Sequence, residues 1–357
     1  MSPHPSSHAS RTGPVAPRVI AWELTRRCSL QCQHCRGSAQ DCAYEGELDT
    51  DECFQVLDSI ASFAKPVLIL TGGEPMMRDD LYQIAARADE LGMHPVLAPC
   101  GHLITPETAA RIRESGIRAI SISLDGPDAA SHDAFRGVPG AYEQTMRGLR
   151  HAIAADIPFQ INTTVTRRNV ADLPAILDQA IKLGAKTFDI FFLVPTGRGS
   201  GLTDLEVTPE AYEDALHWVA EVSRTAPIRV KTTCAPHIIR VAAETGPTDG
   251  SAGQRPMGGC LAGGAFVFIS HTGILQPCGF LAIPCGDLRA ANYDFRALYE
   301  NSPVFQDLRD VKRYDGKCGT CRYVRSCGGC RARAYEATGD HLAEEPRCTY
   351  QPGEGRP

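Results

Sequence analysis

The sequence predicts an α/β fold in which a partial (β/α)6 barrel, similar to a TIM barrel, precedes a small cysteine-rich domain. Apolar, β-branched runs alternate with amphipathic segments over the first half of the chain, and most cysteines lie near its end. Strands that are apolar throughout and alternate with helices are typical of parallel sheets built from βαβ units. We expect a disordered tail (1–17), the barrel (18–235), a linker or loop (236–259), the cysteine-rich domain (260–350) and a second tail (351–357).

Six strands and five intervening helices make up the predicted barrel. The strands are 19–25, 66–72, 93–99, 118–125, 159–165 and 187–195, and the helices lie near 50–63, 79–91, 105–115, 140–155 and 170–183. Several helices begin with residues that commonly cap a helix. A further helix (208–225) and a short strand (228–233) follow. The last domain is predicted to contain a β-hairpin (265–279) and a helical stretch near 294–309.

Composition and charge exclude several classes of protein. A formal charge of −6 over 357 residues gives no reason to expect nucleic-acid binding, which usually requires a basic face. No apolar stretch reaches the roughly 18 residues that a membrane span needs. Fifteen cysteines would suit a disulfide framework, but the Pro/Ser-rich N-terminal segment is not a signal peptide. We therefore predict a cytoplasmic, oxygen-sensitive monomer whose cysteines bind metal clusters.

The first strand leads into a loop that carries Cys28, Cys32 and Cys35 in a CxxxCxxC spacing. Three thiolates on one short loop can hold an iron–sulfur cluster and leave one iron open to a ligand that is not protein. A zinc loop or three unrelated buried thiols is the alternative, although zinc sites usually pair one CxxC with a second. In a barrel, chemistry gathers at the carboxyl ends of the strands, which is where this loop lies.

The second strand ends in Gly72, Gly73, Glu74 and Pro75. Glycines at a strand end let the backbone approach a ligand, and the Glu74 carboxylate can receive an ammonium group. A tight turn with an exposed acid would explain the same residues. Because the cysteine loop follows the preceding strand, the run favours an amino-acid-like ligand bound over a cluster.

This combination resembles the radical S-adenosylmethionine (SAM) superfamily. The resemblance implies a [4Fe-4S] cluster whose open iron is chelated by S-adenosyl-L-methionine, which yields a 5′-deoxyadenosyl radical. The radical forms on the cofactor, so no catalytic side chain is expected. His34 departs from the family pattern, which usually has an aromatic residue there. Further cofactor contacts would fall on His34 itself and on Ser123, Asp125 and Asn162, and Leu193 and Arg136 are weaker matches. Turns or caps would explain Ser123, Asp125 and Asn162 as well.

The C-terminal cysteines resemble the auxiliary-cluster (SPASM) domain of the same superfamily, with one gap a residue shorter than usual. The resemblance implies one or two auxiliary [4Fe-4S] clusters, one held by Cys318, Cys321, Cys327 and Cys348 and one by Cys260, Cys278 and Cys330. Candidates for the missing fourth ligand are Cys234, His237, Cys285 or the substrate. Zinc bound by two CxxC pairs is the alternative. The remaining cysteines are predicted to be core or surface thiols, and these are Cys42, Cys53 and Cys100.

Longer segments resemble the porphyrin-modifying branch of the superfamily, above all the haem synthases of the siroheme-dependent pathway (AhbD-type). Examples are TGGEPMMRDDLY, KTTCAPH and CGGCRARAYEATGDHLAEEPRC. The resemblance implies oxidative decarboxylation of two propionates of iron-coproporphyrin III to vinyl groups, which forms haem b. An electron donor and acceptor such as ferredoxin or flavodoxin are also implied. The alternatives are an enzyme acting on didecarboxysiroheme or in the nitrite-reductase haem pathway, a ribosomal-peptide maturase, and a non-catalytic cluster or zinc scaffold.

A substrate with four carboxylates requires cationic side chains near the strand ends. A hydrogen bond from Arg to a carboxylate contributes about 1.5–3 kcal/mol. The candidates are Arg136, Arg198, His217 and Lys231, although solvated surface charge would explain any one of them. Arg331 and Arg333 lie beside Cys330 and could instead tune a cluster.

Overall fold

The computed structural model describes residues 16–246 and 259–353. The predicted tails and much of the predicted linker lie outside these residues and stay predictions, as does the division of the chain into domains. Within the range predicted as linker, however, residues Ile238–Thr245 form a helix, so the linker prediction is wrong there. No helix within the two described ranges is both long and apolar enough to cross a membrane.

One sheet organises the described residues. Its parallel strands β1 to β7 stand in chain order, at Val19–Thr25, Val67–Gly72, His94–Leu97, Ile120–Ser123, Phe159–Val165, Thr187–Phe192 and Arg229–Thr233. A hairpin, β8 (Phe266–Ile269) and β9 (Ile274–Gln276), extends the sheet beyond β1, and β10 (Gly286–Asp287) follows it. The α/β class and the parallel sheet are confirmed. The predicted hairpin is present, and it continues the sheet because β8 pairs with β1 in parallel.

Twelve helices are described. They are α1 Thr50–Phe63, α2 Leu81–Glu90, α3 Pro106–Glu114, α4 Ala129–Arg136, α5 Ala141–Ala154, α6 Leu173–Leu183, α7 Pro209–Thr225, α8 Ile238–Thr245, α9 Phe295–Asn301, α10 Pro303–Arg309, α11 Gly316–Thr320 and α12 Arg331–Thr338. The sequence analysis missed α4, which Asp128 caps through a hydrogen bond from the Ser131 amide. The stretch predicted near 294–309 is two helices, because Ser302 has an extended backbone and Pro303 begins the second.

The core lies between the sheet and the helices packed on it. Apolar side chains of β1 such as Ile20, Trp22 and Leu24 are almost fully buried there. Glu23 is the exception on this strand, because its buried carboxylate accepts hydrogen bonds from Arg36 (2.9 Å) and Arg26 (3.0 Å). It also lies 3.0 Å from His271 of the hairpin, so one carboxylate connects β1, the cysteine loop and the hairpin.

Candidate functional site

A cavity of about 220 Å³ lies at the carboxyl ends of strands β1 to β6. Strands of one parallel sheet present these ends at one edge, so segments far apart in sequence converge there. Seven residues predicted for the cluster or the cofactor line this cavity: Cys28, Cys32, Cys35, His34, Ser123, Asn162 and Leu193. Gly73 of the Gly-Gly-Glu-Pro run and Arg136 line it as well.

The cysteine loop is folded so that hydrogen-bond donors face its sulfur atoms. The amide of Leu30 donates to Cys28 Sγ (3.4 Å), and the amide of Ala39 donates to Cys35 Sγ (3.4 Å). Arg136 Nη1 lies 3.6 Å from Cys32 Sγ. Burial raises the pKa of Cys32, and the Arg136 charge opposes that rise. These donors stabilise the thiolate form, which is the form that binds metal.

The spacing of the sulfur atoms can be compared with that expected around a single zinc ion. Four thiolates around zinc, each about 2.3 Å from it, have sulfur atoms about 3.8 Å apart. Among the described residues, ligand atoms of Glu74, Cys100 and His102 lie within 4.8 Å of one another. No three cysteine sulfur atoms in these residues are that close together. No three cysteines among the described residues are therefore arranged as a preformed site for a single zinc ion.

The Gly-Gly-Glu-Pro run packs against the cysteine loop. A Cβ atom on Gly73 would lie 2.5 Å from the carbonyl oxygens of both Arg26 and Arg27, so only glycine allows this approach. The sequence analysis attributed the glycines to a ligand's approach, but the close contact is with the protein's own backbone. Gly73 nevertheless lines the cavity with its main chain.

The Glu74 carboxylate joins two segments of the protein backbone. It is fully buried and accepts hydrogen bonds from the amides of Met76 (2.9 Å) and Cys100 (2.6 Å). Burial raises its pKa, and these amides oppose the rise. Glu74 is not among the residues that line the cavity, and its contact with an ammonium group stays a prediction. Its carboxylate holds the turn after β2, which Pro75 begins, against the segment after β3.

Helix α4 brings an arginine and an aromatic ring to the cavity. Arg136 forms a buried ion pair with Asp125, whose other oxygen accepts from the Thr164 amide (2.8 Å). Asp125 therefore positions Arg136 and does not itself line the cavity. The ring of His34 stacks on Phe135, with centroids 4.3 Å apart and planes 9° apart. Burial lowers the pKa of His34 to about 4, so the ring is neutral at neutral pH and acts as an aromatic surface.

All four cations predicted for substrate carboxylates have partners within the protein, and for Arg136 that partner is Asp125. Arg198 donates to the carbonyl oxygens of Cys32 (2.9 Å) and Ala39 (2.9 Å), so it clamps the cysteine loop. Lys231 lies 2.8 Å from Asp189. The His217 side chain is 48% exposed on α7 and does not line the cavity. Arg136 is the candidate that lines the cavity, and substrate contacts by Arg198, His217 and Lys231 stay predictions.

Several residues of the cavity wall were not predicted from the sequence, among them Cys100 and Arg36. Cys100 follows β3 and was predicted to be a core or surface thiol, yet it lines the cavity and contacts Cys28. Its hydrogen bond lowers the pKa of Cys28. Its position just after a predicted strand was the available signal. Arg36 also lines the cavity, where Glu23 and the ring of Phe268 (4.4 Å from the guanidinium carbon) hold it.

The C-terminal cysteines converge on two places. A small cavity is lined by the predicted set Cys318, Cys321, Cys327 and Cys348. A separate packed group contains Cys260, Cys278 and Cys330 together with Cys234. Arg331 Nη2 lies 3.6 Å from Cys318 Sγ. A hydrogen bond from Cys234 and the charge of the buried Arg333 lower the pKa of Cys330 to about 6. Both arginines thus lie against cysteine sets, as expected.

Comparison with known proteins identifies the family. Residues 22–180 match the model of the radical SAM superfamily. The AdoMet-dependent heme synthase of Nitratidesulfovibrio vulgaris is 47% identical over 99% of this chain and 98% of its own length. The chain belongs to the radical SAM superfamily. Membership implies that this radical SAM enzyme uses S-adenosyl-L-methionine and a [4Fe-4S] cluster.

More distant relatives of this radical SAM enzyme have other names. The Fe-coproporphyrin III synthase of Methanosarcina barkeri is 30% identical over 92% of this chain and 87% of its own length. The mycofactocin maturase MftC of Mycobacterium tuberculosis is 30% identical over 90% of this chain and 80% of its own length. The fold matches that of SuiB from Streptococcus suis bound to S-adenosylmethionine, with a TM-score of 0.74, 17% identity, and coverage of 94% of this chain and 77% of SuiB.

Proposed function

We propose that this radical SAM enzyme converts two propionate side chains of iron-coproporphyrin III to vinyl groups and so forms haem b. The observation that carries the proposal is the 47% identity with an AdoMet-dependent heme synthase over almost the whole of both chains. The Fe-coproporphyrin III synthase and the mycofactocin maturase share only 30% identity with this chain. That difference favours haem synthesis over the other tetrapyrrole reactions and over peptide maturation.

The cavity residues divide the work of binding. Cys28, Cys32 and Cys35 would hold the cluster, because their sulfur atoms line one cavity and already accept protein hydrogen bonds. The Gly73 backbone, Ser123 and Asn162 would contact S-adenosyl-L-methionine, with His34 and Leu193 forming apolar surface. When bound, the cluster and this cofactor supply the 5′-deoxyadenosyl radical that takes a hydrogen atom from the substrate.

The protein's own part is to orient the porphyrin and keep water out. Phe191, Leu193, Val194 and Phe280 form an apolar wall suited to the flat face of a tetrapyrrole. Arg136 would bind a carboxylate, either of the cofactor or of a propionate, since Asp125 fixes its position. Removal of a hydrogen atom from the propionate β-carbon, followed by loss of carbon dioxide and one electron, leaves the vinyl double bond.

We extend the proposal to the surroundings of the enzyme. The two C-terminal cysteine sets would hold auxiliary [4Fe-4S] clusters, and the electron released in each decarboxylation would pass to an acceptor such as ferredoxin or flavodoxin. We place this enzyme in the cytoplasm as a monomer. The reducing compartment suited to fifteen cysteines supports the cytoplasmic location.

Anaerobic turnover tests the proposal. The reconstituted enzyme is incubated with iron-coproporphyrin III, S-adenosyl-L-methionine and a reductant, and products are followed by mass. We expect loss of two formic-acid equivalents in total through a monovinyl intermediate, with formation of 5′-deoxyadenosine. The matched control Cys35→Ala should form neither product. An unchanged porphyrin alongside turnover of a siroheme derivative would assign the chain to a different tetrapyrrole reaction.

A further inference from the structure

The end of β7 carries a cysteine next to one of the C-terminal cysteine sets. Cys234 directly follows β7 and packs in the same buried group as Cys260, Cys278 and Cys330. Its thiol is in hydrogen-bond contact with Cys330, and the Cys278 thiol is also close enough to act on it electrostatically. Four thiols from four separate segments of the chain therefore meet at one place.

We propose that Cys234 is the fourth ligand of the auxiliary cluster held by Cys260, Cys278 and Cys330, so that every iron of this cluster is bound by protein. This inference rests on the proposed auxiliary clusters. It replaces an open iron that could bind substrate with a closed, all-cysteine centre. Cysteine thiolates are the usual ligands of a [4Fe-4S] cluster, four to a cluster.

The backbone at Cys234 supports a special role. Its φ of +60° lies in the left-handed region, which residues other than glycine, asparagine and aspartate rarely adopt. Such a conformation persists only when its surroundings impose it. Here Arg333 Nη2 donates to the Cys234 carbonyl (3.0 Å), and Thr232 Oγ1 donates to the carbonyl of Ala235 (3.2 Å). The strained turn places the Cys234 thiol among the other three.

The two rival side chains are engaged elsewhere. Cys285 Sγ lies 3.4 Å from the Ile283 carbonyl and packs against the main core, not against this cysteine group. Nδ1 of His237 lies 2.8 Å from Tyr212 Oη, and its Nε2 lies 2.5 Å from a Glu345 carboxylate oxygen. Neither has a ligand atom directed at Cys260, Cys278 and Cys330.

A closed cluster here would adjoin the substrate cavity without opening into it. Val194 and Phe280 belong both to the cavity wall and to the packed group that contains the four cysteines. An electron from the substrate could cross this thin apolar wall, but a substrate carboxylate could not reach an iron. Substrate carboxylates must then be bound by side chains such as Arg136.

Variants at position 234 test the ligand assignment without any porphyrin. Cys234→Ala and Cys234→Ser are reconstituted under anoxia, with Cys285→Ala as the matched control, and iron, acid-labile sulfide and EPR spectra are measured. We expect Cys234→Ala to lose iron from one cluster and to give a three-iron EPR signal. Cys234→Ser should retain the iron with a shifted midpoint potential, because an alkoxide can replace the thiolate. Cys285→Ala should match the unchanged protein.

The remaining EPR signals and the thermal midpoint report whether each variant is folded. Iron content, EPR spectrum and potential that stay unchanged in both variants at position 234 would overturn the proposal. A second measurement leaves Cys234 intact and uses Cys28→Ala, which removes the barrel cluster. Added cyanide should not alter the auxiliary signals, because no iron is open, and an altered signal would overturn the proposal. Neither measurement depends on the porphyrin reaction, so failure of the proposed function would be seen separately.

Discussion

Replacing Arg198 distinguishes a clamp on the cysteine loop from a ligand of the substrate. Its guanidinium donates to the carbonyl oxygens of Cys32 and Ala39, and its amide donates to the carbonyl of Cys35 (3.0 Å). The neighbouring Gly197 has a φ of +58°, and a Cβ there would lie 2.0 Å from the Arg36 carbonyl. This turn after β6 is thus built against the loop.

The size of the effect follows from the two side-chain bonds. A hydrogen bond from a charged donor contributes about 1.5–3 kcal/mol, so two would give about 3–6 kcal/mol if fully buried. Arg198 is partly exposed, and water replaces part of what is lost, which leaves about 2–3 kcal/mol. Since each 1.4 kcal/mol is about tenfold, the loop should open about 30 to 150 times more often in Arg198→Ala.

The assay is the rate at which anoxically reconstituted protein releases iron to a chelator. Arg198→Ala should release the S-adenosyl-L-methionine-responsive cluster faster by that factor, and Arg198→Lys should show a smaller increase because it can reach one carbonyl. Arg167→Ala is the matched control, since it removes one bond to a backbone carbonyl, that of Glu206 (2.8 Å), away from the loop. A raised KM for the porphyrin with unchanged iron release would refute the reasoning and restore Arg198 as a substrate ligand.

Three further predictions concern stability. Gly73→Ala should cost at least 1–3 kcal/mol in chemical unfolding, because two carbonyl oxygens must move, whereas Gly201→Ala, with open space around it, should be nearly neutral. Glu52 and Arg289 share two hydrogen bonds (2.5 and 2.6 Å) that join α1 to the C-terminal segment. A double-mutant cycle of Glu52→Gln and Arg289→Ala should therefore give a coupling free energy of about 1–2 kcal/mol for unfolding. Additive effects of the two substitutions would contradict this. Burial lowers the pKa of His132 to about 4, so the unfolded chain binds this proton more readily than the folded protein. About 2 kcal/mol of folding stability should therefore be lost between pH 7 and pH 5, and over this range the thermal midpoint of His132→Gln should fall less than that of the unchanged protein.

Local features of the sequence were sufficient for most strands and helices. β1 and β5 occur at the residues predicted, because apolar and β-branched residues dominate both runs despite Glu23 in β1 and Gln160 and Asn162 in β5. α1 also begins and ends as predicted, since Asp49 and Glu52 form a capping box at its start. α4 was missed because its eight residues give little helical periodicity, although Gly126 and Pro127 mark a break before it and Asp128 caps it.

The directions of polar side chains were not predictable in the same way. Position at a strand end indicated that Glu74 and Arg198 lie near the cavity, and both do. Whether a side chain faces the cavity or the protein depends on which backbone groups need a partner, and those groups belong to distant segments. Glu74 accepts from an amide 26 residues away, and Arg198 donates to a carbonyl 166 residues away.

Contacts from distant segments also fix the shape of the cysteine loop, which contains neither helix nor strand. Helix α4, which was not predicted, contacts one side of the loop. The amide of Gln33 donates to the carbonyl of Phe135 (3.2 Å), and the ring of Phe135 stacks on His34. Arg198 contacts the other side. The departure at His34 is therefore compensated within the fold, because a neutral imidazole presents a flat ring to Phe135 as an aromatic residue would. Cysteine spacing indicates which residues can bind a cluster, but contacts from α4 and from the turn after β6 decide where their sulfur atoms lie.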